Sequence, residues 1–321
     1  MIFKFLRYIP FFLLIFFLGS CVPGKEISFE SLEPSNYSVP VETDSVLVVN
    51  LSYYPWIDTT SFNILKNLYR SEAYIVDTMI NRAIFDGLFY ILDESPVQAI
   101  ADNKYTELRG DNRESFMQPL DLQSVDFLCN ENNSGVIFTL EYYGVNLSDS
   151  LLPNIYGELY RQLTIRRYLL WRIYEQGYGM VDEYHERDTL IWNEYNPGDL
   201  PDLVTIIKET FWYAGEKFGK YVSPGWSEQK RNIFYISYQL LDISENMKML
   251  MQVANQKQGY KSFMAYYNLA VLYEREGLLN DAMEAIESAI KLRPSSEVAG
   301  DYKQKLSEAV KQRELLDTQL R

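Results

Sequence analysis

The stretch Leu163–Trp192, "LTIRRYLLWRIYEQGYGMVDEYHERDTLIW", decides the fold. Apolar and charged residues alternate on both sides of "QGYG" (Gln176–Gly179), which supplies the turn. Ile165, Leu169, Trp171 and Ile173 fall on or near one side. The pattern predicts a long β-hairpin, and the segments around it say what the hairpin joins.

Upstream, "SVLVVNLSY" (Ser45–Tyr53) is β-branched and continuously apolar, as a strand buried on both faces is. "SEAYIVDTMINRAIFDG" (71–87) sets Val76, Met79, Ile80, Ala83 and Ile84 at helical spacing, with Gly87 as the expected stop. "LFYILD" (Leu88–Asp93) reads as a second strand, "LDLQSVDFLCN" (120–130) as a short helix and "SGVIFTLEYY" (Ser134–Tyr143) as a third strand. Beyond the hairpin, "PDLVTIIKETFWYAGEKFGKY" (201–221) presents Leu203, Ile207, Phe211, Ala214, Phe218 and Tyr221 on one helical face. Residues 44–222 therefore form a mixed α/β sheet domain in an α+β chain. A Pro-Gly break, "VSPGW" (Val222–Trp226), ends it. Past the break no strand pattern is evident, and residues 227–321 read as helices throughout.

Within that region "FMAYYNLAVLYEREGLLNDAMEAIESAIKLRPSS" (263–296) resembles a tetratricopeptide repeat, a 34-residue helical hairpin. Tyr266, Leu269, Ala270 and Tyr273 fall on the signature of the first helix. Ala282, Ile286, Ala289 and Pro294 fall on that of the second helix and its exit. Small Ala270 and Ala282 let the helices approach, and Pro294 stops the second. One repeat cannot bury its own faces. The preceding 34 residues read as a degenerate repeat, and the stripe of Tyr302, Leu306, Ala309, Leu316 and Leu320 as a capping helix. The resemblance implies a concave groove faced by Met264, Tyr267, Val271, Glu274 and Arg275, with Tyr267 as an anchor for a partner protein.

The chain opens "MIFKFLRYIPFFLLIFFLGSC". Lys4 and Arg7 precede an apolar run too short to span a bilayer, which needs about 20 residues. Small residues and a cysteine follow. This is the order of a secretory signal, and Leu18-Gly19-Ser20-Cys21 resembles a bacterial lipobox. Residues 1–20 are expected to be cleaved and Cys21 to carry the lipid that holds the protein at a membrane. Residues 21–43, rich in Pro, Ser and Glu, read as a flexible tether. Taken together with "VLVVN", "WRIYEQGYGMVDEY" and "VSPGWSEQKRNIFY", the layout is similar to a group of uncharacterised Bacteroidales envelope lipoproteins. These carry a domain of unknown function before tetratricopeptide helices. The resemblance implies an outer-membrane location and no reaction.

Chemistry is sparsely signalled. The formal net charge of −14 repels phosphate backbones and argues against nucleic acid as a partner. With one histidine, His185, and two cysteines, Cys21 and Cys129, the chain lacks the ligands of a zinc centre. Cys129 reads as a buried small hydrophobe. Neither a P-loop, a dinucleotide fingerprint nor a nucleophile elbow occurs, so no cofactor is expected. Glu141 with Asp182 or Glu183 is the carboxylate pair a glycosidase would require, although a chain with 44 acids offers such pairs by chance. The sequence reading is a lipid-anchored, non-enzymatic envelope protein that binds or scaffolds another envelope protein through its helices. Its alternative, prompted by 26 tyrosines, is a surface protein that binds glycans.

Overall fold

The computed structural model describes residues 24–52, 73–108, 118–196, 198–234, 243–256 and 259–320. The signal segment, the lipobox and Cys21 lie outside these residues. The chain divides into two compact units. One comprises residues 34–225 with 316–321, the other residues 24–33 with 226–315.

The first unit is built on a five-stranded sheet of order β3-β2-β4-β5-β6. β2 (Val46–Asn50) runs parallel to both β3 (Asn103–Glu107) and β4 (Val136–Pro153). β4, β5 (Leu159–Glu175) and β6 (Gly179–Glu194) are antiparallel, and the β5–β6 turn lies where "QGYG" predicts it. Helices α1 (Ala73–Asp93) and α4 (Leu203–Val222) cover one face; a single turn, α2 (Gln98–Ala101), precedes β3. Between helices and sheet lie Val48, Phe138, Ile84, Leu88, Phe211 and Phe218, all fully buried. Trp171 stacks on Phe218 with ring centroids 4.2 Å apart. All the apolar positions assigned to α4 are buried except Tyr221, which is half-buried. On the opposite face α3 (Leu122–Asn132) places Val125 and Cys129 over Leu47, Val49, Ile137 and Tyr174. Asp121 caps α3 by accepting from the Ser124 amide at 2.8 Å.

Two expectations fail here. Gly87 does not end α1, and Leu88–Asp93 is not a strand but the helix's last turns. Gly87 is a packing residue. A Cβ there would sit 2.0 Å from the Trp212 carbonyl oxygen, and one on Gly215 1.8 Å from that of Ile84. The helices cross at backbone contact, which only glycine permits. The edge strand β3 had no legible signal: "NKYTE" is short and polar.

The second unit contains a two-stranded ribbon, β1 (Gly24–Glu33) with β7 (Gly225–Phe234), and helices α5 (Ile243–Asn255), α6 (Tyr260–Arg275), α7 (Leu279–Leu292) and most of α8 (Glu297–Gln319). Residues 263–296 fold as the expected helical hairpin, turning at Gly277, whose φ is +74°. The ribbon corrects two readings. Residues 24–33 are a strand, not a tether, and residues 225–234 are a strand, not part of a degenerate helical repeat. β7 turns Ser227, Gln229 and Arg231 inward, and β1 buries Ile27, Phe29 and Leu32 only in part. Gln229 donates to Glu33 at 2.7 Å and Arg231 pairs with Glu274, so the alternation carries little hydropathy signal. Residues 35–38 of the supposed tether are also held in place. Within the sheet unit Tyr37 meets Phe138 edge-on and donates to Glu175 at 2.9 Å, while Ser35 and Gln319 exchange two hydrogen bonds. No helix among the described residues is long and apolar enough to cross a membrane.

Candidate functional site

Among the described residues, the sheet face turned away from α1 and α4 is covered by α3 at one end only. Along β4 a bulge between Leu140 and Tyr142 inserts Glu141. It shifts the helix-facing positions from Val136, Phe138 and Leu140 to Tyr143, Val145 and Leu147. Tyr142, Gly144 and Asn146 thereby turn to the open face, opposite Leu170, Tyr168 and Arg166 of β5. β6 adds Glu183, His185, Arg187 and Thr189, opposite Arg172, Leu170, Tyr168 and Arg166.

These side chains form a connected file. Arg172 Nε donates to Glu183 at 2.8 Å, Glu183 bonds to His185 Nε2, and His185 Nδ1 lies 2.6 Å from the Tyr168 hydroxyl. A carboxylate only accepts, so Nε2 carries a proton, and in the neutral ring Nδ1 then accepts from Tyr168. The Arg187 guanidinium carbon stands 5.1 Å from the Tyr168 ring centroid, and the Tyr142 ring lies 5.7 Å from that of Tyr168. Gly144 has no side chain to lift the floor, and the Tyr142 hydroxyl crosses it. A Cβ on Gly144 would be 2.9 Å from that oxygen. The result is a shallow cavity of about 590 Å³, a volume within the range of small-ligand sites. Its lining includes Tyr142, Gly144, Arg166, Tyr168, Arg187 and Thr189, with one acid, Asp188, which is paired with Arg167 and Lys217.

Its electrostatics differ from the rest of the sheet. β5 and β6 carry five arginines. Arg161 pairs with Asp149 and Glu194, Arg167 with Glu186 and Asp188, and Arg172 with Glu183. Arg166 and Arg187 have no carboxylate within ion-pair distance among the described residues; Arg166 reaches the Asn146 amide oxygen at 3.3 Å. Both are exposed. A larger hollow, about 700 Å³ and lined by α1 and α4 residues, has two cations and two acids on its wall: Arg82, Lys208, Asp86 and Glu209.

The expected carboxylate pair is partly assembled. Glu141 and Glu183 flank Arg172, at 3.8 and 2.8 Å, whereas Asp182 points to the helix side and accepts from Tyr221. Burial raises the Glu141 carboxyl above its ordinary range, against hydrogen bonds from Thr139 and Tyr174. The hydrogen bond from Arg172 lowers Glu183. Shifts of opposite sign are the pattern of an acid and base. Glu141, however, is 3% exposed and its oxygens face protein partners, so the cluster is an internal ion network that fixes Arg172 and Glu183.

The helical groove does not exist as expected. Tyr267, Val271 and Glu274 are buried, Met264 is half-buried, and only Arg275 is exposed. Tyr267 packs between Phe234 of β7 and Tyr302 of α8, with centroids 4.9 and 5.2 Å away. The apolar second stripe of α6 is the seat of the ribbon and of α8. Leu269, Ala270, Ala282, Ile286 and Ala289 are buried, Tyr266 and Tyr273 half-buried, and Pro294 lies exposed beyond α7. Cys129 is buried, and burial pushes its thiol up to about 11. Among the described residues no three His, Cys, Asp or Glu side chains are grouped as metal ligands.

The sequence reading named His185, Glu183 and Glu141 but missed Arg166, Tyr168, Arg187 and Gly144. A glycine inside a strand was the available signal.

No curated protein matches the chain. Among solved structures, one described as a neuraminyllactose-binding hemagglutinin homologue from Helicobacter pylori aligns over 60% of this chain and 88% of its own, at 10% identity and a TM-score of 0.35. That likeness is too slight to bear on ligand or function. Residues 43–234, more than half of the chain and the whole of the sheet with its helices, match the family described as a domain of unknown function, DUF8603, and the chain belongs to that family.

Proposed function

We propose that the protein is a lipid-anchored binding protein of a bacterial envelope, held through Cys21 and turning over no substrate, whose sheet captures a ligand on its open face. The observation that carries this is the cavity over β4, β5 and β6, where Arg166 and Arg187 stand without acidic partners beside Tyr168 in a chain of net charge −14. The anchor rests on the order Leu18-Gly19-Ser20-Cys21. The α6–α7 hairpin is tetratricopeptide-like by its buried signature residues and serves as scaffold, its inner stripe being occupied by the chain itself.

Site-specific photocrosslinking in cells tests the reading. A benzophenone side chain replacing Thr189, on the cavity rim, gives an adduct, whereas one replacing exposed Glu308 of α8 gives none. Alkyne-palmitate labels the wild type and not Cys21→Ala. Absence of an adduct from Thr189, or label retained on the alanine variant, overturns the corresponding half.

A further inference from the structure

We infer that the ligand of the open face is a carboxylate-bearing glycan, an inference that rests on the binding reading above and gives it a chemistry. Arg166 and Arg187 are diagonal neighbours across the β5–β6 pair, since Arg166 opposes Thr189 and Tyr168 opposes Arg187. Side chains so placed are within mutual reach, with backbones about 7–8 Å apart. Two arginines on backbones so placed can donate to one carboxylate or to two in succession, and guanidinium geometry matches the planar carboxylate. Every other arginine on these strands already holds such a group from the protein. Arg166 and Arg187, which meet an amide and a tyrosine ring but no carboxylate among the described residues, take one from outside.

The rest of the cavity selects the carrier. Its floor is aromatic, with the Tyr142 and Tyr168 rings inclined at 48°; Tyr168 is half-buried and its hydroxyl is held by His185, so the ring is fixed. The Arg187 guanidinium stands over Tyr168, so a sugar would pack its C–H groups on the tyrosine surface that Arg187 leaves, with its carboxylate beside the guanidinium. The Thr189 hydroxyl stands at the rim for ring hydroxyls. An acidic peptide fits less well. Peptides bind sheets by adding to an edge, which here is β6, whereas Tyr142, Asn146, Arg166 and Tyr168 lie on β4 and β5, interior strands flanked on both sides. Over those two strands recognition falls to side chains alone. Gly144, opposite Tyr168, lets the Tyr142 ring lie down across β4 and form the floor where the ligand would rest.

Affinity electrophoresis of the chain from residue 22 onward tests this. Native gels contain polygalacturonate, neutral dextran, dextran sulfate or polyglutamate. Polygalacturonate is expected to retard the protein, and dextran and polyglutamate are not. Arg166→Ala and Arg187→Ala each weaken retention about tenfold or more, as loss of a charge-assisted bond does. Tyr168→Ala weakens it comparably at unchanged charge. Melting temperatures of the two exposed arginine variants stay at the wild-type value, so lost retention is not lost folding. Equal retardation by polyglutamate or dextran sulfate shows charge alone at work and overturns the glycan. Retention unaffected by both arginine variants overturns the site. Absence of retention on polygalacturonate and on gels of other carboxylated polysaccharides, with a photo-adduct still formed at Thr189, overturns the glycan and leaves the binding surface standing.

Discussion

Arg231 of β7 and Glu274 of α6 are joined by two charge-assisted hydrogen bonds, 2.9 Å from Nε to Oε2 and 2.7 Å from Nη2 to Oε1. The Tyr302 hydroxyl adds a third, also to Oε2, at 2.7 Å. The carboxylate side chain is 4% exposed and the guanidinium 13%. The pair pins the ribbon and α8 onto the side of α6 that an open repeat would leave for a partner. Glu274→Ala strands a buried guanidinium and should cost about 3 kcal/mol, as broken buried pairs do. Amide hydrogen exchange across 260–306 reads this locally. Protection within about 1 kcal/mol of wild type would mean that the ribbon does not depend on the pair.

The α1–α4 crossing supplies a paired test. Gly215→Ala forces a methyl onto the Ile84 carbonyl, which belongs to a helix backbone and cannot move aside. A loss of roughly 3 kcal/mol or more is expected, at the upper end of overpacking costs. Gly300→Ala, in α8 with nothing within 4 Å of the added carbon, should gain up to about 1 kcal/mol from helix propensity. Urea unfolding separates the two, and equal midpoints would contradict the close-contact role of Gly215.

What was legible in the sequence was whatever an apolar period records. The β5–β6 hairpin and α4 were readable because Trp171, Ile173, Phe211 and Phe218 face one core. The strand β7 was not, because Ser227, Gln229 and Arg231 face inward through hydrogen bonds and an ion pair instead of apolar burial, and its partner β1 buries Ile27, Phe29 and Leu32 only in part. Gly87 carried a true signal with two meanings, a helix stop or a close contact, and only the partner helix distinguishes them. The second apolar stripe of α6 was equally visible, but its covering elements were the ones misread. At the site, Glu183 and His185 could be named, whereas Arg172, Tyr168 and Arg187 join them only through strand register. The bulge at Glu141 breaks the two-residue period that would have exposed it.

Glu183 predicts a pH dependence. Its carboxyl is lowered in the folded chain, first by the Arg172 hydrogen bond. A depressed carboxyl stabilises the fold above its unfolded value, ordinarily 4.5, and the gain disappears as pH falls through the folded value. The side chain is 31% exposed, so screening keeps the contribution to no more than about 1 kcal/mol. Glu183→Gln should therefore be slightly less stable than wild type at pH 7, and the two should converge in the acid range below 4.5. A gap that widens on acidification would reverse the sign argued here.

Cys129 should be chemically silent. Its thiol is buried under α3 and raised to about 11, chiefly by desolvation, so little thiolate exists at pH 8. In the chain from residue 22 onward it is the sole thiol. Ellman's reagent should leave the native protein unmodified for hours and react stoichiometrically once it is denatured. Rapid modification of the native protein would place Cys129 at the surface.

Gly144 connects local geometry to binding. An added methyl would meet the Tyr142 hydroxyl at 2.9 Å, but that oxygen ends a side chain that can swing by a few tenths of an ångström. The strand itself gains β propensity when glycine is replaced. Stability should consequently change by less than about 1 kcal/mol. The cavity changes more, because the methyl rises from the floor directly opposite Tyr168 and displaces Tyr142 from its place 5.7 Å away. Gly144→Ala should thus keep the wild-type melting temperature while retention on polygalacturonate falls, and Gly144→Val should lose retention altogether. Retention unchanged in the valine variant would show that the ligand does not approach the sheet between Tyr142 and Tyr168, and the aromatic floor would then be packing alone.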